Sequence, residues 1–235
     1  MTSFAFPPPA SVTLPVANTD TFFPVNRVYC IGRNYSWGQG GTRSAEMPVW
    51  FMKPASAVFE AHGALPYPPE TTDFCHEIEL VVAIGRGGRN IEPAQVEPNH
   101  IWGYAAGLDL TRRDLQQQAK RAGGPWEPAK AFDHSAACTP VVPAAICGHP
   151  RNGAVWLTVN GVERQRADIS DLLWPVSELV AMLSRSIALR PGDLIFTGTP
   201  AGVGALQPGD VIEGGVAGIG RFSMVTGSGS STGSG

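Results

Sequence analysis

Two glutamates stand inside an apolar run of the chain, the stretch DFCHEIELVVAIG from Asp73 to Gly85. Glu77 and Glu79 are two positions apart, and successive side chains of a strand point to opposite faces, so the two carboxylates share a face. Two like charges in apolar surroundings are unfavourable unless a positive group offsets them. The spacing therefore predicts either a cation on this face or a strand face that is exposed to solvent.

A third carboxylate, Asp109, lies at the end of the strand-like stretch IWGYAAGLDL. Mg²⁺ and Mn²⁺ prefer oxygen ligands, and Mg²⁺ is usually held by a few carboxylates, with water or substrate in the remaining positions. Glu77, Glu79 and Asp109 could supply such a set, and no grouping of His and Cys in the sequence competes with it. From the residues alone, a divalent metal site and a solvated acidic face both remain open.

Basic and polar residues follow the third carboxylate along the chain. Arg113 and Gln116 lie four and seven residues after Asp109, so a helix that starts near Asp109 would place all three on nearly the same face. Lys130 stands among small and apolar residues in EPAKAFDHS, where a lysine can lie along the surface or face an anionic substrate. The Gly-rich turn FTGTPAGVG, which contains Thr199, could present hydroxyl and backbone N–H groups to a carboxylate.

The elements that must position these residues are mostly short strands. Glycine (28 residues) and proline (21 residues) are abundant, and they occupy turn-like places between apolar runs. Two Pro-Gly-Asp turns each precede a strand, and Asn160-Gly161 is typical of a tight hairpin. The predicted strands are Arg27–Ile31, Val49–Lys53, Glu77–Ile84, Ile101–Asp109, Val155–Val159, Asp193–Thr197 and Asp210–Glu213.

Helices are fewer than strands in this sequence. The segment TRRDLQQQAKRAGG opens with Thr111, carries Asp114 at the spacing of a capping box, and ends at Gly123. The segment PVSELVAMLSRSIAL opens with Pro175 and places apolar residues along one helical stripe. The pattern predicts a β-rich, mixed α/β fold with a few peripheral helices.

The organisation of the chain is simple. Of its 235 residues, 1–24 are predicted to be an extended, proline-rich segment and 25–225 a single main domain. Residues 226–235 are a Gly/Ser tract, which cannot build a core and is predicted to be a flexible tail of artificial origin.

Composition excludes several classes of protein. The net charge is −3 and no run of Lys or Arg stands out, which argues against binding to nucleic acid or to a membrane surface. No apolar run reaches the length of a membrane span, and the proline-rich N-terminus lacks the features of a secretory signal. The four cysteines form no CxxC pair, which favours free thiols in a cytoplasmic protein.

Seven segments, taken in order, resemble the fumarylacetoacetate hydrolase family. They cover nearly all of residues 27–219 and read YCIGRNY, FMKPASAV, HEIELVVAIG, GYAAGLDLTRRDLQ, AKAFDHSA, LTVNGVERQ and RPGDLIFTGTPAGVG. The combination of LPYPPET, HEIELVVAIG and GLDLTRRDLQ is most similar to the family's bacterial fumarylpyruvate hydrolase branch, which serves gentisate degradation. The resemblance implies a β-roll of the kind found in the family's C-terminal domain, usually as a homodimer.

The resemblance also implies a role for each candidate site residue. The residues that would hold Mg²⁺ or Mn²⁺, and through it the 2-keto acid end of a small substrate, are Glu77, Glu79 and Asp109. The positions that match residues contacting the substrate or steadying the metal ligands are Lys130, Arg113 and Gln116. The positions that match the lining of the substrate pocket are Arg33, Tyr35, Gly198 and Thr199, together with Lys130.

One segment departs from the family pattern. In the family, a His three residues after the Tyr of GRNY and a Glu three residues later orient and deprotonate the attacking water, which is general-base catalysis. The matching positions are Gly38 and Gly41 in this chain, and glycine opposes helix formation. We therefore expect a loop without the usual base, in which Glu46 is the candidate replacement.

Three functions are compatible with this departure. The first is hydrolysis of the C–C bond of an acylpyruvate, with fumarylpyruvate preferred, in which Glu46 or the metal itself activates the water. The second is a metal-dependent decarboxylation or tautomerisation of a 2-keto acid, which needs no activated water. The third is an engineered or inactivated protein that only binds 2-keto acids. Because a general base contributes about 10²- to 10⁴-fold to a rate, its loss still permits slow hydrolysis, which is the preferred prediction.

Overall fold

The structure, a computed structural model, describes residues 4–35 and 48–228. Strands dominate these residues, and they are β1 (Thr13–Pro15), β2 (Phe22–Pro24), β3 (Val28–Gly32), β4 (Val49–Lys53), β5 (Val58–Glu60), β6 (Gly63–Leu65), β7 (Phe74–His76), β8 (Ile78–Ile84), β9 (Ile101–Asp109), β10 (Thr111–Arg112), β11 (Ala136–Cys138), β12 (Val142–Pro143), β13 (Ala154–Val159), β14 (Val162–Asp168), β15 (Leu194–Phe196), β16 (Gly204–Ala205), β17 (Val211–Val216) and β18 (Gly220–Thr226). The helices are α1 (Pro93–Asn99), α2 (Arg113–Ala122), α3 (Glu127–Lys130), α4 (Ala144–Cys147) and α5 (Val176–Ser186). The β-rich, mixed α/β fold predicted from the sequence is confirmed.

An eight-stranded sheet forms the body of the fold. Its strand order is β4-β3-β15-β8-β9-β11-β5, and β12 pairs with β9 beside this path. β8 lies in the interior of the sheet, antiparallel to β15 on one side and to β9 on the other. All residues of β8 are buried, which explains why its sequence is a nearly continuous apolar run rather than an alternating one.

The two faces of β8 contact two different parts of the core. Ile78, Leu80 and Val82 point into the larger core cluster, whereas Val81 and Ala83 pack in a second, smaller one. Because side chains alternate along a strand, Glu79 lies on the same face as Val81. The carboxylate therefore points to the side of the sheet that has the smaller apolar core.

A five-stranded sheet, in the order β14-β13-β17-β18-β6, packs its inner face against the larger core. The predicted hairpin is confirmed: β13 and β14 are antiparallel neighbours. Asn160 and Gly161 have φ of +52° and +75°, as the predicted tight turn requires. The register between the two strands shifts at Leu157 and Thr158.

Several strands were not predicted from the sequence because they are very short. β10, β7 and β16 form a three-stranded sheet, and β1 pairs with β2 within the N-terminal segment. Strands of two or three residues carry no measurable periodicity, so their positions depend on tertiary contacts.

No helix among residues 4–35 and 48–228 is long and apolar enough to cross a membrane.

The predicted start of α2 at Thr111 is wrong. Thr111 and Arg112 pair with β7 instead, and the helix begins at Arg113. Asp114 does not close a capping box, because its carboxylate accepts hydrogen bonds from Thr71 and Thr72 of the preceding loop. The predicted end is confirmed, since Gly123 takes the left-handed conformation with φ of +64°.

A glycine on β9 allows close packing of the core beside β8. Gly107 of β9 is the direct neighbour of Glu79 across the strand pair. A Cβ atom at position 107 would lie 2.7 Å from Cγ2 of Val81 and 2.9 Å from the carbonyl oxygen of Ala137. Protein interiors are close-packed, so neither neighbour has space to withdraw.

Gly107→Ala is expected to lower the free energy of unfolding by about 1–3 kcal/mol, the usual effect of overpacking a core. Urea denaturation of the metal-free protein measures this change. Gly124→Ala is the matched control, because the nearest atom to its added Cβ would lie 4.0 Å away. The control should stay within about 0.5 kcal/mol of the wild type, and an equal stability of both variants would contradict the packing argument.

Candidate active site

A cavity of about 460 Å³ lies where β3, β8, β9 and α2 meet, a size suited to a small ligand. The residues singled out from the sequence that line it are Arg33, Tyr35, Glu77, Glu79, Asp109, Arg113, Gln116, Lys130 and Thr199. Gly198, which is also predicted to line the pocket, is not among the lining residues, but its backbone N–H donates to Glu79. Glu46, Gly38 and Gly41 lie outside the described residues.

The three predicted carboxylates meet in this cavity. One oxygen atom of each lies within 4.8 Å of those of the other two. Only 7% of Glu77, 1% of Glu79 and 2% of Asp109 is exposed. The solvated acidic face, which the sequence alone left open, is thereby excluded.

The strand pairing explains how residues 30 positions apart come together. β8 and β9 are antiparallel, so the end of β9 lies beside the start of β8. The backbone N–H of Asp109 donates to the carbonyl oxygen of Glu77 at 2.9 Å. Glu77 itself stands between β7 and β8 rather than inside the predicted strand, and its side chain lines the same cavity as that of Glu79.

Two buried lysines offset part of the negative charge. The Lys130 ammonium lies 2.9 Å from a carboxylate oxygen of Glu77 and 2.9 Å from one of Asp109. Lys53, at the end of β4, lies 2.9 Å from the other oxygen of Asp109. Lys53 also donates to the backbone carbonyl oxygens of Leu110 and Lys130, which ties the two lysines together.

These contacts set the protonation of the site. Burial would raise the pKa of Asp109, but the attraction of Lys130 and Lys53 outweighs it and holds that pKa below its usual value. Burial likewise opposes the charge on Lys130, and the two carboxylates beside it raise its pKa. Asp109 and Lys130 are therefore both ionised at neutral pH.

Glu79 has a different environment. Its carboxylate accepts a hydrogen bond from the backbone N–H of Gly198 at 2.6 Å, and no Lys or Arg of the described chain forms an ion pair with it. Burial, and then the negative charges of Asp109 and Glu77, raise the pKa of Glu79 well above its usual range. The site is thus short of positive charge at Glu79.

The donor set fits a divalent cation. Three carboxylates converge, and one of them lacks a cationic partner in the described part of the chain. Oxygen-only ligands of this kind suit Mg²⁺ or Mn²⁺ rather than zinc. Glu77, Glu79 and Asp109 are therefore the residues that could hold such an ion.

The start of α2 completes one wall of the cavity. Arg113 lies 3.6 Å from a carboxylate oxygen of Glu77 and donates to Oε1 of Gln116 at 3.1 Å. The Thr111 hydroxyl donates to Glu77 at 3.2 Å and accepts from Lys130 at 2.6 Å. Arg113 and Gln116 line the cavity, but the predicted helical face shared with Asp109 is wrong, because Asp109 ends β9 and the helix begins only at Arg113.

The GRNY segment also contributes to the cavity lining. Its buried Asn34 donates to the carbonyl oxygens of Trp174 and Thr197 and accepts from the N–H of Trp174. Arg33 has φ of +63°, a left-handed conformation that a non-glycine residue rarely adopts. Asn34 therefore anchors the turn that brings Arg33 and Tyr35 into the cavity lining.

Sequence reasoning missed three residues that contact the carboxylates or line the cavity mouth. Lys53 carries the same signal as Lys130, an isolated lysine beside apolar residues, but its sequence pattern predicts only the end of a strand. The pattern at Thr111 predicts a helix cap, although its hydroxyl contacts Glu77. Lys120 lines the cavity, where its ammonium lies 5.0 Å from the ring centre of Trp126.

Comparison with known proteins identifies the family. Residues 27–225 match the family model described as fumarylacetoacetate (FAA) hydrolase C-terminal. A fumarylpyruvate hydrolase of Ralstonia is 41% identical over 190 residues, which are 81% of this chain and 98% of that protein. An oxaloacetate tautomerase of Escherichia coli is also 41% identical, over 191 residues that cover 80% of this chain and 87% of that protein.

A solved structure extends the comparison to three dimensions. Fumarylpyruvate hydrolase from Pseudomonas aeruginosa, in complex with Mn²⁺ and pyruvate, superposes with a TM-score of 0.91 at 48% identity. The match covers 96% of this chain and 99% of that one. The family match, these relatives and the buried carboxylates agree: the chain is an enzyme that belongs to the fumarylacetoacetate hydrolase family.

Proposed function

We propose that this enzyme hydrolyses the C–C bond of an acylpyruvate, with fumarylpyruvate as substrate and fumarate and pyruvate as products. The observation that carries the proposal is the buried set of three carboxylates in a cavity with basic walls. The similarity to fumarylpyruvate hydrolases of Ralstonia and Pseudomonas aeruginosa supports the choice of substrate.

Glu77, Glu79 and Asp109 would hold Mg²⁺ or Mn²⁺ in this proposal. Such an ion, when bound, supplies a Lewis acid for the oxygen atoms of a 2-keto acid and so favours the enolate of pyruvate. Lys130 and Lys53 keep Asp109 ionised. Each lysine contacts a different oxygen atom of the carboxylate, so the two together fix its orientation. The lysines thus hold the carboxylate ready to act as a ligand.

The reaction is a hydrolysis in which the acyl carbonyl carbon gains a water oxygen. The bond between that carbon and C3 of the pyruvate unit breaks, its electron pair moves into the enolate, and C3 then takes a proton. Arg113 and Lys130 lie beside the carboxylates, where they can bind the oxygen atoms that become negative. Glu46 stays our candidate for the group that takes the proton of the attacking water.

The charge of the cavity favours a substrate with two carboxylates. Among residues 4–35 and 48–228, the lining contains three acidic side chains and four basic ones, and the basic ones are Arg33, Arg113, Lys120 and Lys130. A divalent cation would add to this positive charge, and complementary charge attracts an anionic ligand. Fumarylpyruvate is such an anionic ligand, because it has a carboxylate at each end.

We assign the far carboxylate of the substrate to Lys120. It lies seven residues after Arg113 on α2, so it shares a face with Arg113 at a distance of about 10 Å along the helix axis. An extended seven-carbon diacid spans about 7–8 Å with bonds of about 1.5 Å. A substrate whose keto acid end lies near Glu77 would therefore reach toward Lys120 and Trp126.

A second candidate function is tautomerisation of oxaloacetate. The observation that favours it is the Escherichia coli tautomerase, which is as identical to this chain as the Ralstonia hydrolase is. The reaction needs enolate stabilisation but no activated water, so the glycines at positions 38 and 41 would not hinder it.

We also propose a homodimer in the cytoplasm that serves gentisate degradation. This context rests on the resemblance of the sequence to its family.

Metal removal is the first test of the proposed function. We expect Mn²⁺-dependent loss of fumarylpyruvate absorbance with release of fumarate and pyruvate, and no turnover in EDTA.

Glu79→Gln should lower kcat/KM by at least about 100-fold, since even the partners of metal ligands contribute about 10- to 100-fold. Glu213→Gln, at an exposed acid of β17, is the control. Turnover of oxaloacetate alone would replace hydrolysis by the second candidate function.

Loss of Lys130 is expected to destabilise the protein, because Glu77 and Asp109 then repel each other without the ammonium group between them. Lys130→Met should lower the unfolding free energy of the metal-free protein by about 3–5 kcal/mol, because it leaves buried charges unpaired. Mn²⁺ should then raise the melting temperature of this variant more than that of the wild type. Lys120→Met, at an exposed lysine of the same cavity, is the control, and equal stability of the two variants would refute the role of Lys130.

Lys120→Met also tests the substrate assignment. We expect kcat/KM for fumarylpyruvate to fall about 10-fold or more, because a hydrogen bond between charged groups contributes about 1.5–3 kcal/mol. The value for acetylpyruvate, which lacks the far carboxylate, should not change, and Lys120→Arg should retain most of the activity. An equal loss for both substrates would show that Lys120 does not read the far carboxylate.

A further inference from the structure

A buried amide stands behind the site and takes no part in the proposed reaction. Gln165 belongs to β14, at the end of the LTVNGVERQ segment, and only 1% of it is exposed. Its side chain fills the space between β8 and the Gly-rich loop that follows β15, the loop of Gly198 and Thr199.

The carboxamide of Gln165 uses both of its ends. Its Oε1 accepts a hydrogen bond from the N–H of Ile78 at 3.1 Å and lies 2.9 Å from Nδ1 of His76. Its Nε2 donates to the hydroxyl of Thr199 at 2.8 Å and to the carbonyl oxygen of Pro200 at 2.9 Å. The opposite orientation would set N–H against N–H and oxygen against oxygen, so the partners determine the orientation.

These bonds converge on the residue between two of the carboxylates. Ile78 separates Glu77 from Glu79, and its N–H is held by Gln165. Its carbonyl oxygen accepts from the Thr199 hydroxyl at 2.9 Å, and that hydroxyl is itself held by Gln165. Both polar groups of the Ile78 backbone are therefore fixed through one side chain.

The same loop contacts the carboxylate of Glu79 directly. The N–H of Gly198, next to Thr199, donates to Glu79 at 2.6 Å. The loop also lies against β14 so closely that a Cβ at Gly202 would collide with the carbonyl oxygen of Arg164. Gln165 thus bridges two backbones that the fold already holds in contact.

We propose that Gln165 is a positioning residue for the metal site. It fixes the direction of Glu77 and Glu79 through Ile78, and it fixes the Gly198 N–H and the Thr199 hydroxyl through the loop. An amide performs this role without adding a fourth negative charge behind three carboxylates. The inference rests on the proposed function in one respect, which is that these carboxylates hold the metal.

The direct test is the affinity for Mn²⁺, measured by titration calorimetry on the metal-free protein. Gln165→Leu removes all four hydrogen bonds, and we expect the Kd for Mn²⁺ to rise about 10- to 100-fold, the usual effect of losing a partner of a metal ligand. Gln165→Asn, whose shorter side chain cannot span the gap, should raise it as well and replaces the leucine variant if that fails to fold.

Leu157→Ala separates positioning from general loss of stability. Leu157 is the buried neighbour of Gln165 across the hairpin, and its truncation leaves a cavity that should lower the melting temperature with the Kd for Mn²⁺ unchanged. An unchanged Kd in Gln165→Leu, or an equal rise in Leu157→Ala, would overturn the inference and leave the proposed function standing. A wild type that does not bind Mn²⁺ would overturn both.

Discussion

The burial of three carboxylates in one cavity is the constraint on which the rest of the structure depends. Charges of one sign in a medium of low dielectric constant repel each other strongly, and each loses its hydration. The fold answers this at Asp109 with lysines from β4 and α3, two elements far apart in the chain. It answers only in part at Glu79, which has a backbone N–H as its partner. This uneven compensation distinguishes a site built for a cation from an ordinary ion-pair network.

The arrangement of the sheets follows from the same constraint. β8 must be buried on both faces to exclude water from the carboxylates, and it must still leave space for their side chains. Gly107 lets β9 pack closely against Val81 and Ala137, and the Gly-rich loop brings its backbone close enough to donate to Glu79. Buried carboxylates and glycines are unfavourable inside a sheet that has no ligand. In this protein they are grouped at one site, where a cation could bind.

Local patterns sufficed for the long strands and for the hairpin at Asn160. Glu77 and Glu79 do line one cavity, although Glu77 lies just outside the strand whose alternation predicted a shared face. Local patterns failed where distant residues decide the outcome. Thr111 and Asp114 have the spacing of a helix cap, yet pairing with β7 and contact with the 71–72 loop use both of them elsewhere. Gln165 bonds to a residue 87 positions away, and no short-range pattern marks such a partner. Lys53 was predictable as an isolated lysine, but its ion pair with Asp109 was not.

The anchoring of the GRNY turn has a consequence for how such a site can change over evolution. Gly32 and Val49 are paired neighbours on β3 and β4, and Tyr35 forms a bridge to Leu172. The ends of the intervening segment are therefore held side by side by the sheet, and the entropy of closing a longer or shorter segment differs little. Insertions, deletions and exchanges between these anchors can leave the carboxylates undisturbed. The sequence of this stretch and the carboxylate cluster can therefore vary independently.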